Sequence, residues 1–313
     1  MNALLFPGQG SQLVGMGAEF YKNFSDVKNI FNQADERLNY KISKIILDGP
    51  EDKLQLTQNT QPSILTVSYS IFYILKNEFG FDFNNFKYFS GHSLGEYSAL
   101  VSSGSLSFSD AIYLLNERGK AMQEAVPVGE GTMIAVLGLK IYEVEDLIKK
   151  NDNKKGVCEV ANDNADGQVI ISGNASSIES LQEILKEKKI KSIPLKVSAP
   201  FHCTLMKPAA EKMKEKIGNT NFKQPSFEII NNVNAKPEKD PEIIKRLLIE
   251  QIYSTVKWRE SLIFMSNSGV KNFFEIGPGK ALTGMVKRTI KNSNCFSINS
   301  IADIKNIENE LKK

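Results

Sequence analysis

The sequence predicts a two-part α/β protein, and three observations carry that prediction. A strand, a tight turn and a helix surround Gly91-His92-Ser93-Leu94-Gly95. Helices and strands alternate in the stretches before and after the middle of the chain. Between them, residues 129–198 read as βαββαβ, the ferredoxin-like order. The expected organisation is a larger α/β domain over 1–128 and 199–313, with a small ferredoxin-like domain inserted over 129–198.

Taken in order, Ala3-Leu4-Leu5-Phe6 is an apolar run that reads as a buried strand and breaks at Pro7-Gly8-Gln9-Gly10. Helices are predicted from Gly15 to Phe24 and from Val27 to Leu38. Thr60-Gln61-Pro62 reads as a helix start with Pro in the first turn. Ile64, Leu65, Val67, Ile71, Phe72, Leu75 and Phe79 follow at helical spacing, and Gly80 closes the helix. Phe86 to Ser90 is the strand before the turn, Glu96 to Val101 the short helix after it, and Phe108 to Ala125 a long helix.

Gly129-Glu130-Gly131 marks a change of texture. Met133–Leu139, Val157–Asn162, Val169–Ile171 and Ile190–Val197 read as strands, with helices over Tyr142–Lys149 and Ser176–Lys188 and a turn at Asp166-Gly167. A helix is then expected after His202, a strand over Phe227–Ile230, a helix from Asp240-Pro241 to Tyr253 and another from Trp258 to Met265. Lys271–Ile276 reads as strand and Lys280–Ile290 as a last helix, and Lys312-Lys313 as a frayed surface end.

Composition narrows the function classes. Of 313 residues, 41% are hydrophobic and 24% charged, which suits a folded globular chain rather than a disordered one. A net charge of +3 is too small to point to nucleic acid. Cys158, Cys203 and Cys295 form no CxxC pair and leave one over, so a reduced, cytoplasmic setting is expected. No apolar run is long enough for a membrane span, and the first residues lack a basic n-region followed by a long h-region, so a secretory leader is not expected. The two histidines, His92 and His202, lie in no HExxH-type motif, and no metal site is expected.

Gly91 to Gly95 fits the G-x-S-x-G nucleophile elbow, in which flanking glycines make room for a sharp turn that presents the serine. Ser93 is then the candidate nucleophile, and the Leu94 amide can face an oxyanion. A serine needs a base. His92 precedes Ser93 within the turn and should point away from it, in a structural role. His202 remains, in the strand-to-helix loop Ser198–His202, where a helix N-terminus would keep the ring neutral; a core histidine with satisfied hydrogen bonds is the alternative. Cys203 reads as a small packed residue. The Pro7–Gly10 loop suits a second oxyanion donor, while a phosphate cradle lacks the Gly or Lys-Ser/Thr that such loops need. Arg118 falls in the apolar stripe Ala111, Leu114, Leu115, Ala121, Met122 and Ala125. A guanidinium there needs an acceptor: either a protein acid such as Glu275, or a substrate carboxylate.

Together these segments resemble the malonyl-CoA:acyl-carrier-protein transacylase family. The matching stretches are FPGQGSQLVGMG at 6–17, TQNTQPSIL at 57–65, GHSLGEYSAL at 91–100, ERGKAMQEA at 117–125, SAPFHC at 198–203, EQIYSTVKW at 250–258 and FFEIGPGKALTGMV at 273–286. The resemblance implies an α/β-hydrolase-like large domain, with the active site in the cleft beside the small one. It implies that Ser93 is acylated, His202 is its base, Gln9 and Leu94 give oxyanion amides, and Arg118 binds the free carboxylate of malonate. Gln251 matches the family residue whose main-chain carbonyl orients the histidine in place of an acid. It implies malonyl-CoA and an acidic, phosphopantetheinylated acyl carrier protein as partners, and no dissociable cofactor. Lys188, Lys189, Lys191, Lys280, Lys287 and Arg288 could steer that carrier or simply form a solvated surface. Phe201 stands where members of the family carry a smaller residue. A serine esterase or thioesterase on the same elbow, and a silent module that only docks a carrier protein, are the competing readings.

Overall fold

The computed structural model describes residues 1–151, 156–197 and 199–311. Ser198, at the end of the predicted small domain, and the Lys312-Lys313 end lie outside the described residues.

β1 (Asn2–Phe6) is apolar on both faces. Leu4 and Phe6 join the main core, while Ala3 and Leu5 join a second cluster. A strand buried on both sides belongs inside a parallel sheet, and β1 lies there. Then follow α1 (Ala18–Asn23), α2 (Ser25–Leu38), α3 (Ile42–Asp48), α4 (Glu51–Gln55) and α5 (Thr57–Asn77). α1 starts later than predicted because Gly15 and Gly17 stand at φ 88° and 74°, outside right-handed helical space. α3 and α4 were not anticipated; each is too short to show a helical period.

α5 starts at Thr57 rather than at Thr60, so Pro62 sits inside it. Proline removes the N–H that would reach the Gln58 carbonyl. The side-chain amide of Asn116 donates to that oxygen instead, at 2.9 Å. The helix tolerates its proline because a neighbouring helix supplies the missing donor. That neighbour is α7 (Phe108–Glu124), which follows β2 (Phe86–Gly91) and α6 (Gly95–Ser102).

The middle of the chain is β3 (Gly131–Leu137), α8 (Ile141–Lys150), β4 (Cys158–Ala165), β5 (Gln168–Asn174), α9 (Ala175–Glu187) and β6 (Ser192–Pro194). This is the predicted βαββαβ order. The strands pair as β4-β5-β3-β6, with each neighbouring pair antiparallel. Alternation sorts the two faces. Ile134, Val136, Val169 and Ile171 share a cluster with Val144 and Leu181 from the two helices, whereas Met133, Ala135 and Ile170 join the main core. β6 is shorter than the predicted Ile190–Val197; past its end Leu195 keeps one main-chain bond to Met133, and Leu195 and Val197 line a cavity.

After a 3₁₀ turn (Thr204–Met206) come α10 (Lys207–Gly218), β7 (Glu228–Ile230), β8 (Pro237–Glu238), α11 (Pro241–Gln251), α12 (Trp258–Asn267), β9 (Asn272–Ile276), α13 (Ala281–Thr289), β10 (Asn294–Ile298) and α14 (Ile301–Leu311). β8, β10 and α14 were not anticipated either. The large sheet runs β10-β9-β1-β2-β7-β8, parallel except at the edge strand β8. The architecture is the predicted one: a large α/β sheet with helices, and a smaller antiparallel sheet. In such sheets ligands bind beyond the carboxyl ends of the strands. Phe6 and Gly91, the last residues of β1 and β2, are register partners there. Among the described residues, no helix is long and apolar enough to cross a membrane, and no three His, Cys, Asp or Glu residues are grouped to hold a metal ion.

Candidate active site

The turn between β2 and α6 is forced by close backbone contacts. A Cβ on Gly91 would come within 1.9 Å of the Gly95 backbone, and one on Gly95 within 2.3 Å of the Phe6 carbonyl. Ser93 takes φ 53°, a left-handed conformation that costs energy for any residue with a side chain. Such strain persists only where surrounding contacts dictate it. Here Asn232 supplies them: its Oδ1 accepts from the Ser93 amide at 2.7 Å, and its Nδ2 donates to the Gly91 carbonyl at 2.8 Å.

His202 also stands in the left-handed region, at φ 58°. Its Nε2 lies 2.8 Å from Ser93 Oγ, and its Nδ1 lies 2.9 Å from the main-chain carbonyl of Gln251. A carbonyl only accepts, so Nδ1 carries the proton and Nε2 presents a lone pair to the serine. Among the described residues, no protein acid touches the ring. Burial, followed by the nearby Arg118 charge, pushes the imidazole down to about 3. The ring is neutral, as expected, but for a different reason: the chain after His202 forms a 3₁₀ turn before α10, and burial rather than a helix terminus sets the protonation.

Arg118 projects from α7 into the same site and is 1% exposed. Nη1 donates to Gln61 Oε1 at 2.7 Å. Nη2 donates to Ser93 Oγ at 3.1 Å and to Gln251 Oε1 at 2.9 Å. The Tyr97 ring lies 5.9 Å from its guanidinium carbon. Among the described residues its Nε has no partner, and no carboxylate pairs with it. The alternative of a Glu275 pair is therefore corrected. Glu275 is turned to the start of α13, where it accepts from the amides of Leu282 and Thr283 at 3.0 and 2.7 Å. A buried cation with neutral partners is costly to keep unless it has an anion to meet.

The remaining candidates fall around this centre. Gln9 lines the cavity, and Gly8 beside it is so close to the elbow that a Cβ would meet the His92 carbonyl at 2.6 Å. Among the described residues, no hydrogen bond occupies the main-chain N–H of Gln9 or Leu94. His92 turns aside, with Nε2 2.8 Å from Asn164 Oδ1 and its ring edge-on to Trp258. Cys203 is fully buried against the Pro200 carbonyl, and burial pushes its thiol up to about 11, as suits a packed residue.

The cavity measures about 100 Å³. Ser93, His202, Arg118 and Gln61 line it, together with Met133, Asn162, Leu195 and Val197 from the small-sheet segment and Phe201. Three residues here escaped the sequence reading: Gln61, Asn232 and Glu96. Gln61 lies 57 residues from the arginine it holds, and Asn232 lies 139 from the serine amide. Nothing local to either position signals such a partner.

Chemically, the arrangement places a hydroxyl beside a neutral imidazole and a buried guanidinium that no carboxylate of the described residues meets. The sequence profile of the acyl transferase domain family matches residues 3–311. The malonyl CoA-acyl carrier protein transacylase of Bacillus subtilis is 46% identical over 289 residues, covering 91% of this chain and 89% of the relative. That of Haemophilus influenzae is 39% identical, covering 99% and 98%. The crystal structure of the acyl-carrier-protein S-malonyltransferase from Bartonella henselae superposes with a TM-score of 0.96 at 41% identity, covering 100% and 99% of the two chains. A malonyl-transacylase solved in complex with its type II polyketide acyl-carrier protein superposes at 0.94 and 38% identity, covering 98% and 99%.

Proposed function

Since the chain belongs to the acyl transferase domain family, we propose that it moves a malonyl group from malonyl-CoA to the phosphopantetheine thiol of an acidic acyl carrier protein. It does so in the cytoplasm, in fatty-acid synthesis, through a malonyl-Ser93 intermediate, and needs no dissociable cofactor. The observation that carries this reading is the Arg118 guanidinium, buried, without a carboxylate partner and 3.1 Å from Ser93 Oγ.

Malonyl-CoA enters the cleft between the large domain (1–128 and 199–313) and the small one (129–198). Its free carboxylate meets Arg118, whose planar fork suits a two-point grip. Ser93 Oγ attacks the thioester carbon while its proton passes to His202 Nε2, and the Gln251 carbonyl holds the resulting imidazolium by Nδ1. The amides of Gln9 and Leu94 take the oxyanion; losing one such donor costs about 3–4 kcal/mol of transition-state stabilisation. The C–S bond breaks, and CoA leaves with the proton from His202. The carrier thiol then gives its proton to His202 and attacks the acyl-serine carbon; the C–O bond to Ser93 breaks, and His202 returns the proton to Ser93 Oγ. A cavity with mostly apolar walls favours the thiol over water.

Incubation with malonyl-CoA and a holo carrier protein or thiol acceptor tests this reading. Malonyl-thioester should be the main product. Free malonate as the dominant product would make the protein a thioesterase instead.

A further inference from the structure

Among the described residues, Glu96 is the buried acid at the centre of the site, and the mechanism above does not use it. It lies on the first turn of α6 and is 1% exposed. Its Oε2 accepts from Gln251 Nε2 at 2.7 Å and from the Asn232 amide at 3.1 Å. These two residues hold everything else. Asn232 clamps the elbow at Ser93 N and Gly91 O. Gln251 donates to the Ser93 carbonyl at 3.1 Å, accepts from Arg118 through its side chain, and accepts from His202 through its main chain.

The donor logic of this network has one solution. A guanidinium has only donors, so the Gln251 amide must turn its oxygen to Arg118. Its NH₂ then faces Glu96, and an ionised carboxylate, which only accepts, fixes that orientation. The side-chain amide of Gln251 therefore separates the Glu96 charge from the Arg118 guanidinium, and the length of the same residue, from side chain to main-chain carbonyl, separates it from the imidazolium that forms on His202. Neither cation is touched by another carboxylate among the described residues. We propose that Glu96 is a positioning residue: through Gln251 it orients Arg118 and His202 around Ser93, and its negative charge supports the imidazolium as Ser93 is acylated. This rests on the reading of Ser93 as the acylated nucleophile.

The charged and titratable groups that face Glu96 are Arg118 from α7, Tyr97 beside it on α6, and His202 beyond Gln251 from the loop before α10. Burial pushes the carboxyl up to about 7, against the pull of Gln251, Asn232 and Arg118. Its ionised form is thus disfavoured by folding: stability from this group is full below its unfolded value of 4.5 and falls as pH rises through about 7. Glu96→Gln keeps an oxygen to accept both hydrogen bonds but removes the charge. A purely structural Glu96 would make that variant less stable, whereas this account makes it equally or more stable at pH 8, and slower.

The test is the rate of Ser93 modification by a fluorophosphonate, followed by intact mass from pH 5.5 to 8.5, beside melting at pH 8. This readout needs Ser93 and His202 but no particular acyl group. The native protein should slow as pH falls through about 7. Glu96→Gln should react about tenfold or more slowly at pH 8, with no limb between pH 6 and 8 and no loss of Tm. A Glu96→Gln profile that matches the native one in rate and limb overturns the proposal. So does a native profile that is flat between pH 6 and 8, whatever the variant does. If the native protein reacts with the fluorophosphonate but takes no malonyl from malonyl-CoA, the malonyl reading fails, and the Glu96 comparison still decides.

Discussion

Arg118 and His202 are the residues where sequence and structure meet most closely, and both make separable predictions. Arg118→Ala should lower malonyl transfer far more than acetyl transfer, measured as kcat/KM for the two CoA esters. Equal losses would make the arginine a packing residue. His202→Ala should slow Ser93 acylation by about 10²–10⁴-fold. The same substitution has a second signature. A histidine pushed down to about 3 when folded binds a proton on unfolding at any pH between that value and 6.5. Native stability from this group is therefore present above about 6.5 and lost as pH falls towards 3. His202→Ala should show a smaller drop in Tm between pH 8 and pH 5 than the native protein, and an unchanged drop would contradict the burial account. Ser93 was legible because its signal is local: five consecutive residues, two of them glycines that backbone contact requires. Gln61, Asn232 and Glu96 were not, because they act on partners distant along the chain.

At the scale of elements, strands are most legible where both faces are apolar, as in β1, β3 and β5. Helix starts were read less well. The proline near the head of α5 reads in sequence as its first turn, but the helix begins earlier because α7 repairs the bond that proline breaks. Such a repair is a tertiary event with no sequence period of its own. It predicts that Asn116→Ala, which strands the Gln58 carbonyl and removes a bond to Tyr40, destabilises the protein by about 1–3 kcal/mol. Urea denaturation can measure this, and a change below about 0.5 kcal/mol would show that water or helix relaxation replaces the amide. α3 and α4 escaped because short helices show too little period to stand out.

For the whole molecule, function depends on how the small sheet is fixed over the elbow. β4 is fastened to the segment after α11 by the Asp163 amide to the Val256 carbonyl at 3.0 Å and the Val256 amide to the Ala161 carbonyl at 2.9 Å. Arg259 adds a 2.9 Å ion pair to the buried Asp163. Glu159 on the same strand accepts from the amide and hydroxyl of Thr204, two residues after His202. The strand that supplies Asn162 to the cavity is thus tied to the chain just after His202 and, further on, just after Gln251, whose carbonyl meets the imidazole. The division into a large α/β part and a βαββαβ part was legible in the order of elements; this stitching, made by residues far apart in the chain, was not. In our proposal these parts assemble a carboxylate-selective serine acyltransferase. Intact and peptide mass spectrometry after brief mixing with malonyl-CoA tests it most directly. The account predicts one malonyl adduct on Ser93, absent in Ser93→Ala and discharged by a holo carrier protein. No adduct on the native protein, or an adduct on another residue, would contradict it.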